Sequence, residues 1–458
     1  MPKERFSSMH KHFLIIICSL LFLLPVVVEG QTTAFSENPA GTLPRVKPKQ
    51  GTKWYRMLYD GGMTRTASGA WYMEIPQGIN DLTVMNFVDG YSFGPHAIAG
   101  YMNARRHRFE VEETLRWAVS REALLAKGAL RWYSPVEQAS MVEIHGGRHT
   151  EDIDHDPTMP MSQSLLATGI FGWNHYKLLE RTDAGLRVAF PIGNDIDVKA
   201  HVAWERRREM ENHKLTTIFG THGQDNVPRL RVGKSASELM LYDGEIDGDM
   251  ALLNLAFNYQ FGQQHVVFDD MTCLSHSTYP RFTLLTDVGM GKWHFASFEL
   301  RVGQDIHLTR GEDQLSYLIG GGGIYKHGDL SLTDWHHLDA SRFWWQKDNV
   351  LSRFVMLDNY ELSTDRSWME GHAMWSSDRM LLTWLTRNGM FLKEYVQAHI
   401  VKVPSHRAHW ELQYGIDLLR IWKFGVAVGF DNMTCRGAAF TMSLDISEAK
   451  SAKQSKKP

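Results

Sequence analysis

The chain has 458 residues, of which 43% are hydrophobic and 22% charged, with a formal net charge of −3 at pH 7. A pI of about 6.7 leaves no basic footprint, which argues against a nucleic-acid partner. Mean hydropathy is −0.31, and no stretch after residue 30 reaches the roughly twenty apolar residues of a membrane-spanning helix. Membrane-spanning strands are not excluded, because their lumen-facing and lipid-facing residues alternate and cancel in any average.

Residues 1–30 have the layout of a secretory signal. The apolar run Phe13–Val28 is followed by Gly30, a small residue of the kind found at cleavage sites. Cationic side chains precede the run: Lys3, Arg5 and Lys11. We predict a signal peptide that is cleaved after Gly30, so that the protein is exported. The alternative is an uncleaved membrane anchor.

The next segment, 31–81, is of mixed composition. It holds prolines followed by aromatic residues: Pro39, Pro44, Pro48, Trp54, Tyr55 and Tyr59. This length is too short for an ordinary independent domain. We predict a linker or a short periplasmic segment, with a first strand as the alternative.

From residue 82 the chain changes to extended patterns in which apolar side chains recur at every second position. The early segments of this kind are Phe109–Val119, Leu124–Trp132, Ala184–Phe190, Ile196–Trp204 and Leu253–Phe261. In the first of them Glu113 is the one charged residue on the apolar side. Gly193-Asn194 is a typical tight-turn pair. Weaker strand candidates cover Phe282–Met290 and Trp293–Val302.

The clearest alternation lies near the C-terminus, between Ala408 and Ser447. One face of its first strand is apolar, with Ala408, Trp410, Leu412, Tyr414 and Ile416, and the other is polar or small, with His409, Glu411, Gln413, Gly415 and Asp417. The pattern returns over Trp422–Phe430 and Ala438–Ile446. Strands of about ten residues with one apolar face meet the requirement for crossing a bilayer at a tilt.

Together these patterns predict an all-β fold, an antiparallel transmembrane β-barrel of roughly 14–16 strands over residues 82–447. Long polar and aromatic stretches at 208–238 and 328–350 are expected to be loops at one end of the barrel. The last strand is expected to pair with the first, because an open edge in lipid leaves main-chain groups unsatisfied. Residues 163–176 are expected to hold a short helix, and the basic tail 448–458 is predicted to be disordered.

Three motifs look like functional sites but fit structural roles better. Gly320–Gly323 lacks the Lys-Ser or Lys-Thr of a phosphate-binding loop, so a strand bend or close backbone approach is expected. His336-His337 lacks the helical spacing of a zinc site and is predicted to be a loop pair. Carboxylates that could hold calcium alternate in one loop without the full calcium-loop pattern: Asp152, Asp154 and Asp156.

The polar strand faces do not identify a catalytic site. Ser, His and acidic residues are plentiful on them, but any lumen would show such residues, so no catalytic triad can be picked out. We therefore predict no catalytic, cofactor-binding or metal-binding residues, no cofactor, and a protein that is not an enzyme. Beyond the signal the cysteines are Cys273 and Cys435, which in an exported protein either pair or stay free.

Several short segments, taken in order, resemble the Bacteroidetes family of uncharacterised outer-membrane barrel proteins labelled carboxypeptidase-like regulatory domain-containing. The similar segments are Phe87–Gly94, His145–Gly147 with Asp152, Tyr176–Glu180, Trp204–Arg207, Asp358–Asp365 and Trp410–Ile416. The resemblance implies an outer-membrane barrel, commonly preceded by a small periplasmic β-sandwich without peptidase chemistry. This chain departs from the family there, because segment 31–81 is too short for such a domain.

We accordingly predict a barrel in the cell outer membrane that acts in transport across that membrane or in its assembly and maintenance. Its expected partners are outer-membrane lipid and, during insertion, the barrel-assembly machinery, with no nucleic acid. A barrel enzyme acting on lipid or lipopolysaccharide is one alternative. A secreted soluble β-protein that binds glycans or other ligands is another, although the wide apolar strand faces argue against it.

Overall fold

A computed structural model describes residues 62–444 of the chain, apart from short internal stretches. The stretches left out are 67–68, 77–82, 136–139, 155–166, 214–216, 218–219, 221–224, 232–238, 264, 269–270, 275–276, 309–312, 347–350, 379, 383–391 and 419–421. Residues 1–61 and 445–458 lie outside the description as well. With them lie the predicted signal peptide, most of segment 31–81 and the predicted disordered tail.

The described residues are mostly extended. The strands are β1 Gly62–Arg65, β2 Trp71–Ile75, β3 Thr83–Asn86, β4 Gly90–Phe93, β5 His96–Met102, β6 Arg108–Ala118, β7 Ala123–Tyr133, β8 Met141–Asp152, β9 Leu178–Ile192, β10 Ile196–Glu209, β11 Arg229–Arg231, β12 Leu239–Leu241, β13 Gly248–Gln260, β14 His265–Phe268, β15 Met271–Leu274, β16 Arg281–Gly291, β17 His294–His307, β18 Gln314–His327, β19 Trp345–Gln346, β20 Ser367–Ser377, β21 Leu392–Lys402, β22 His409–Leu418, β23 Trp422–Asp431 and β24 Thr434–Leu444. A 3-10 helix, η1, covers Leu332–Asp334.

One large antiparallel sheet forms the wall of the barrel. Its strands pair in the order β1, β2, β5 to β10, β13, β16 to β18 and β20 to β24. The β3–β4 hairpin joins the same sheet, because β4 pairs with β6 beyond the end of β5. Fourteen of the described strands have ten residues or more, and β1, β2 and β5 add three shorter positions. The all-β antiparallel fold is confirmed, and the number of long strands lies within the predicted range. The first described strand begins at Gly62, so segment 31–81 contributes the strand pair β1 and β2, in line with the alternative that its sequence left open.

The two faces of the wall differ as the alternation predicts. In β22, Glu411 and Gln413 are buried on the inward face, whereas Leu412 between them is 47% exposed on the outward face. β23 and β24 continue this pattern, with Val426 and Phe440 exposed outward. A polar face is therefore enclosed, while a large apolar face is open to the surroundings.

Two positions have surroundings that the alternation of apolar and polar residues does not predict. Val198 of β10 is on the outward face but only 6% exposed, because it pairs with Phe190 on one side and Phe257 on the other. Gln413 faces inward, yet its amide donates to the Thr441 hydroxyl at 3.0 Å in a closely packed interior.

Because successive wall strands are antiparallel, their connections alternate between the two ends of the barrel. The connections β8–β9, β10–β13 and β18–β20 fall at the same end, which we call the mouth, and the C-terminal end of β24 lies at the other. The predicted loops 208–238 and 328–350 are both at the mouth, as expected, and the second of them extends to residue 366. The β13–β16 connection, residues 261–280, lies at the other end.

The connection between β18 and β20, residues 328–366, folds back inside the wall, and we call it the plug. Its side chains join the inward face of the sheet in shared apolar clusters. One cluster joins Phe354, Leu357 and Leu362 of the plug to Trp368 and Val401 of the wall. The core of the protein thus lies between the plug and the wall.

The edges of the sheet are β1 and β24, and no pairing between them is found among the described residues. β24 instead takes up β19 from the plug, in a short parallel pairing of Trp345 with Met442 and Gln346 with Ser443. The Met442 amide donates to the main-chain oxygen of Trp344 at 2.7 Å. The expected pairing of the last strand with the first is therefore replaced here by a segment of the plug.

The predicted helix over 163–176 is present only as one turn at 167–169, and 163–166 lies outside the described residues. Ala167 of this turn packs with Val88, Tyr176 and Phe343 at the mouth. The part of the chain that the structure describes holds no helix with the length and apolarity that crossing a bilayer takes.

Candidate functional site

The plug is held to the wall by buried charged pairs, and the first of these joins β10 to η1. Glu205 and Arg207, two residues apart, share the inward face of β10. The Arg207 guanidinium donates from Nη1 and Nη2 to the two Asp334 carboxylate oxygens, each at 2.7 Å, and from Nε to Glu205 at 2.7 Å. Arg207 is 1% exposed, so this pair is shielded from water and salt. Removal of one partner would leave an uncompensated buried charge.

A second anchor joins the end of β8 to Tyr360 of the plug. The Tyr360 hydroxyl donates to the Asp152 carboxylate, and the Asp154 amide donates to the Tyr360 oxygen at 3.2 Å. Tyr360 has a φ of 67°, in the left-handed region that a bulky residue rarely adopts. The ring of His337 packs edge-on against it with centroids 4.9 Å apart. Tyr360 is thus held in a strained conformation by its surroundings.

The third anchor centres on Glu361, which is buried next to Tyr360. Its carboxylate accepts hydrogen bonds from Arg231 of β11 and from Arg436 of β24, the latter at 2.6 Å to both oxygens. The Arg231 amide also donates to the main-chain oxygen of Glu361 at 3.0 Å. One acidic side chain of the plug therefore ties together a mouth loop and the last strand of the wall.

A fourth anchor comes from β22. The carboxylate of Glu411 accepts the main-chain N–H groups of Val355 at 2.8 Å and Met356 at 2.9 Å, and lies 2.9 Å from His409 Nε2. His409 Nδ1 lies 2.8 Å from Asp431. A loop inside a protein must find partners for its main-chain groups. Here the polar inward face of the sheet supplies them.

A separate network joins the connections at the mouth. Arg121, in the β6–β7 turn, donates to Asp89 at 2.9 Å, to Thr150 at 3.0 Å and to Glu180. Arg148 also donates to Glu180, at 2.7 Å. These contacts fix the hairpin β3–β4, the end of β8 and the start of β9 relative to one another, which makes the mouth a defined frame around the plug.

The motifs considered in the sequence analysis have structural roles in the fold. Gly320–Gly323 lies within β18, where a Cβ at Gly322 would come 2.3 Å from the main-chain oxygen of Phe298 and 2.5 Å from the Trp368 ring. The predicted close backbone approach is therefore present. In the plug, the ring of His336 stacks on Trp368 at 3.8 Å.

His337 of the predicted loop pair lies in the plug, with Nδ1 2.7 Å from the Ser363 hydroxyl and Nε2 2.9 Å from the main-chain oxygen of Leu332. Of the three alternating aspartates, Asp152 binds Tyr360 as described above, and Asp156 lies outside the described residues. Among those residues no group of three or more potential ligands could hold a metal ion. Cys435 is exposed and free, and the side chain of Cys273 lies outside the description.

The anchors of the plug were not predicted from the sequence, although the segments singled out there contain several of the anchor residues. Segments singled out for their resemblance to one family supply Asp152, Glu180, Glu205, Arg207 and Glu361, and these converge at the plug and the mouth. Each segment by itself looks like ordinary lumen lining. Their convergence is visible only in three dimensions.

Among solved structures, the chain is similar to several outer-membrane proteins at low sequence identity. With BamA from Haemophilus ducreyi lacking POTRA domains 1–3 it shares 7% identity over 83% of this chain and 69% of that chain, with a TM-score of 0.41. With CdiB from Acinetobacter baumannii it shares 11% identity over 84% and 64%, with a TM-score of 0.34. With Wzi, a carbohydrate-binding β-barrel involved in group 1 capsule assembly in Escherichia coli, it shares 8% identity over 83% and 76%, with a TM-score of 0.34.

These superpositions are loose, and the chain spans just under two thirds of CdiB. The barrel assignment therefore rests on this chain's own strand pairing and faces. No curated protein matches the chain. Residues 56–416, most of the sequence, match the family described as "Family of unknown function (DUF5686) C-terminal domain", and the chain belongs to that family.

Proposed function

We propose that this protein is a plugged β-barrel of the cell outer membrane, which acts in transport across that membrane or in its assembly and maintenance. The observation that carries the location is the outward face of the wall, where large apolar side chains stand exposed strand after strand. Among them are Ile144, Val202, Phe298, Ile319, Met369, Ile400, Leu412 and Phe440. A soluble protein rarely exposes a contiguous apolar surface of this extent.

The main-chain arrangement fits the same environment. In a bilayer every main-chain N–H and C=O must be satisfied within the protein, and a sheet curled into a barrel meets this requirement except at its edges. The pairing of β19 with Met442 and Ser443 of β24 partly covers one edge from inside. The membrane-facing wall would thereby keep its hydrogen bonds.

The plug favours a barrel that is closed at rest over an open diffusion pore. Its buried ion pairs with Arg207, Arg231 and Arg436 would have to break before anything of appreciable size passes through. Passage or membrane assembly would then depend on displacement of the plug.

The proposal includes no enzymatic step. An enzyme acting on lipid would need a nucleophile and a base on the outward wall, where the described side chains are mainly apolar. The signal peptide, the insertion by the barrel-assembly machinery, and the bacterial group and carboxypeptidase-like label of the family resemblance stay predictions.

Cell fractionation tests the location. The mature protein is expected in the outer-membrane fraction, resistant to carbonate extraction, and faster on a detergent gel unheated than boiled. Recovery as a freely soluble periplasmic protein with one gel mobility would overturn the proposal and favour the soluble alternative.

A further inference from the structure

A cavity of about 450 Å³ opens at the mouth, between the plug and two of the mouth connections. This volume lies in the range of small-molecule sites, roughly 300–1,000 Å³. The β8–β9 connection supplies Trp173, His175 and Lys177, the β10–β13 connection supplies Arg229, and the plug supplies Arg342 and Asn359. The cavity is thus built from three separate parts of the chain that meet only in the fold.

Two polar atoms at this cavity are buried and have no hydrogen-bond partner within the part of the chain that the structure describes. They are Nε2 of His175 and Oδ1 of Asn359. Buried polar atoms in folded proteins are almost always satisfied, so each such exception calls for an explanation. A bound ligand that supplies the missing partners is one. The amide oxygen of Asn359 can only accept, so the ligand must carry a donor.

The charges around the cavity restrict that donor. Lys177 is buried, and its ammonium donates to the main-chain oxygen of Asp225. Burial lowers the pKa of Lys177 to about 8, so that it is still mainly protonated at pH 7. Arg229 is exposed at the rim. A cationic ligand would be repelled by these groups, so the donor for Asn359 is expected to be an uncharged group such as a hydroxyl.

Carboxylates also line the cavity, but they are compensated or solvated. Glu361 is held by two arginines, as described above, and Asp358 is exposed, 3.7 Å from Arg342. Asp225 is exposed as well. Burial and the neighbouring Lys177 lower the pKa of His175 to about 4, so its imidazole is neutral at pH 7. The buried charge that faces the ligand is therefore the ammonium of Lys177.

An aromatic surface completes the site. The Trp173 ring is partly exposed and is fixed in place by His175 at 5.5 Å and by Phe343 at 5.7 Å between centroids. A rigid indole face packs well against the C–H face of a saturated six-membered ring, and little conformational entropy is lost when it does so. The site thus combines an aromatic platform, a buried cation and unsatisfied hydrogen-bonding atoms.

We propose that this cavity binds an acidic sugar, a polyhydroxylated ring that carries a carboxylate. The carboxylate lies toward Lys177 and Arg342, a ring hydroxyl donates to Asn359 Oδ1, a second polar group meets His175 Nε2, and the ring packs on Trp173. The site holds whether or not the lumen conducts, because all of these residues lie at the mouth. A bound sugar would contact the plug and the mouth loops at once.

Titration calorimetry on the full-length, detergent-solubilised protein tests the site with three probes: glucuronate, glucose and acetate. Glucuronate is expected to bind in a 1:1 ratio, at least about tenfold more tightly than either of the others, because only it offers both a charge and hydroxyl groups. Absence of glucuronate binding, or equal binding of glucose or acetate, would overturn the proposal.

Two substitutions place the binding in this cavity. Asn359→Asp puts a negative charge beside the ligand, and the Asn359 side chain makes no hydrogen bond within the described part of the chain that this change would break. Arg342→Gln removes a rim cation. Each is expected to weaken glucuronate binding about tenfold or more. Arg105→Gln, at an exposed turn at the opposite end, is the matched control and should change nothing. Heat-modifiable mobility confirms that each variant is folded. Wild-type affinity in the folded Arg342→Gln and Asn359→Asp proteins would contradict the assignment.

Discussion

Arg207 and Asp334 form a buried bidentate pair, with two N–O distances of 2.7 Å, that links strand β10 to the plug. The preceding residue, Arg206, makes a similar pair with Asp249 at 2.7 and 3.0 Å, but on the exposed outer side. Two adjacent arginines therefore have the same kind of partner in opposite environments, because neighbouring side chains of a strand point to opposite faces. Only the inner pair holds the plug.

Replacement of Arg207 by glutamine should release the plug. Breaking a buried ion pair by removing one partner costs about 3–5 kcal/mol, whereas a solvent-exposed pair contributes little to stability. In planar bilayers, Arg207→Gln is expected to conduct more often and at a higher level than the wild-type protein. Arg206→Gln serves as the control and should behave like wild type. Equal conductance in all three folded proteins would mean that this pair does not close the lumen.

The outward face should reject a charge where the inward face accepts one. Val202 is 52% exposed on the outside in the middle of β10, while the adjacent His201 faces the lumen and lies 3.0 Å from Asn254. Val202→Arg is expected to cost about 2–4 kcal/mol near the bilayer midplane. His201→Arg should cost less. It loses the contact of His201 Nε2 with His145 Nε2 at 3.2 Å, but an arginine can still donate to the Asn254 oxygen and stays on the polar inward face. Urea unfolding in lipid vesicles measures both, and equal losses would argue against a lipid-facing outer side.

The wall could be read from the sequence because the signal is local. In β22 every second residue reports its face, so Leu412 and Glu411 are assigned correctly without any knowledge of the neighbouring strands. The plug has no such signal. Its anchors join residues far apart in sequence, such as Arg207 with Asp334 and Asp152 with Tyr360.

The surroundings of polar residues on the inward face could not be predicted from the sequence either. A glutamate such as Glu411, which binds two main-chain amides of the plug, looks in sequence like any residue facing water. The same holds for Gln413, whose packed surroundings could not be seen from alternation. Alternation gives the side of the sheet but not what occupies the space beyond it.

Glu113, the one charged residue on the apolar face of β6, provides a further test of whether that face lies in lipid. It is exposed on the outward face in the middle of β6, between Ala97 of β5 and Gly128 of β7. Because a carboxylate in lipid is costly, Glu113→Leu is expected to stabilise the protein by about 1 kcal/mol in vesicles. Glu110→Leu is the inward counterpart and should destabilise, since Glu110 accepts a hydrogen bond from the Tyr72 hydroxyl. A destabilised Glu113→Leu protein would instead point to a partner for this carboxylate.

Sugar binding at the mouth should depend on pH through Lys177. Burial lowers its pKa to about 8; Asp152 and Asp225 oppose this change, and Arg229 adds to it. The ammonium that attracts a carboxylate is present below that pKa and is lost above it, so glucuronate affinity should be level near pH 6.5 and fall as the pH passes through about 8. His175 stays neutral throughout this range, because its pKa is about 4.

Calorimetry between pH 6.5 and 9.5 gives this profile, and the Lys177→Met protein provides the comparison. Its residual affinity should be lower and should no longer change near pH 8. An unchanged pH profile in Lys177→Met would assign the titration to another group and would contradict the role given to Lys177.

The central claim is that the wall spans a bilayer with its apolar face in lipid, and a spin-label scan of β10 tests it most directly. Single cysteines are placed in turn at positions 199–205 in a Cys273→Ser, Cys435→Ser background, labelled with a nitroxide and reconstituted in vesicles. Oxygen, which concentrates in lipid, should relax the labels at 200, 202 and 204 strongly and those at 199, 201, 203 and 205 weakly. Equal oxygen accessibility along the strand, or strong exposure of all seven labels to a water-soluble relaxing agent, would contradict a membrane-spanning wall.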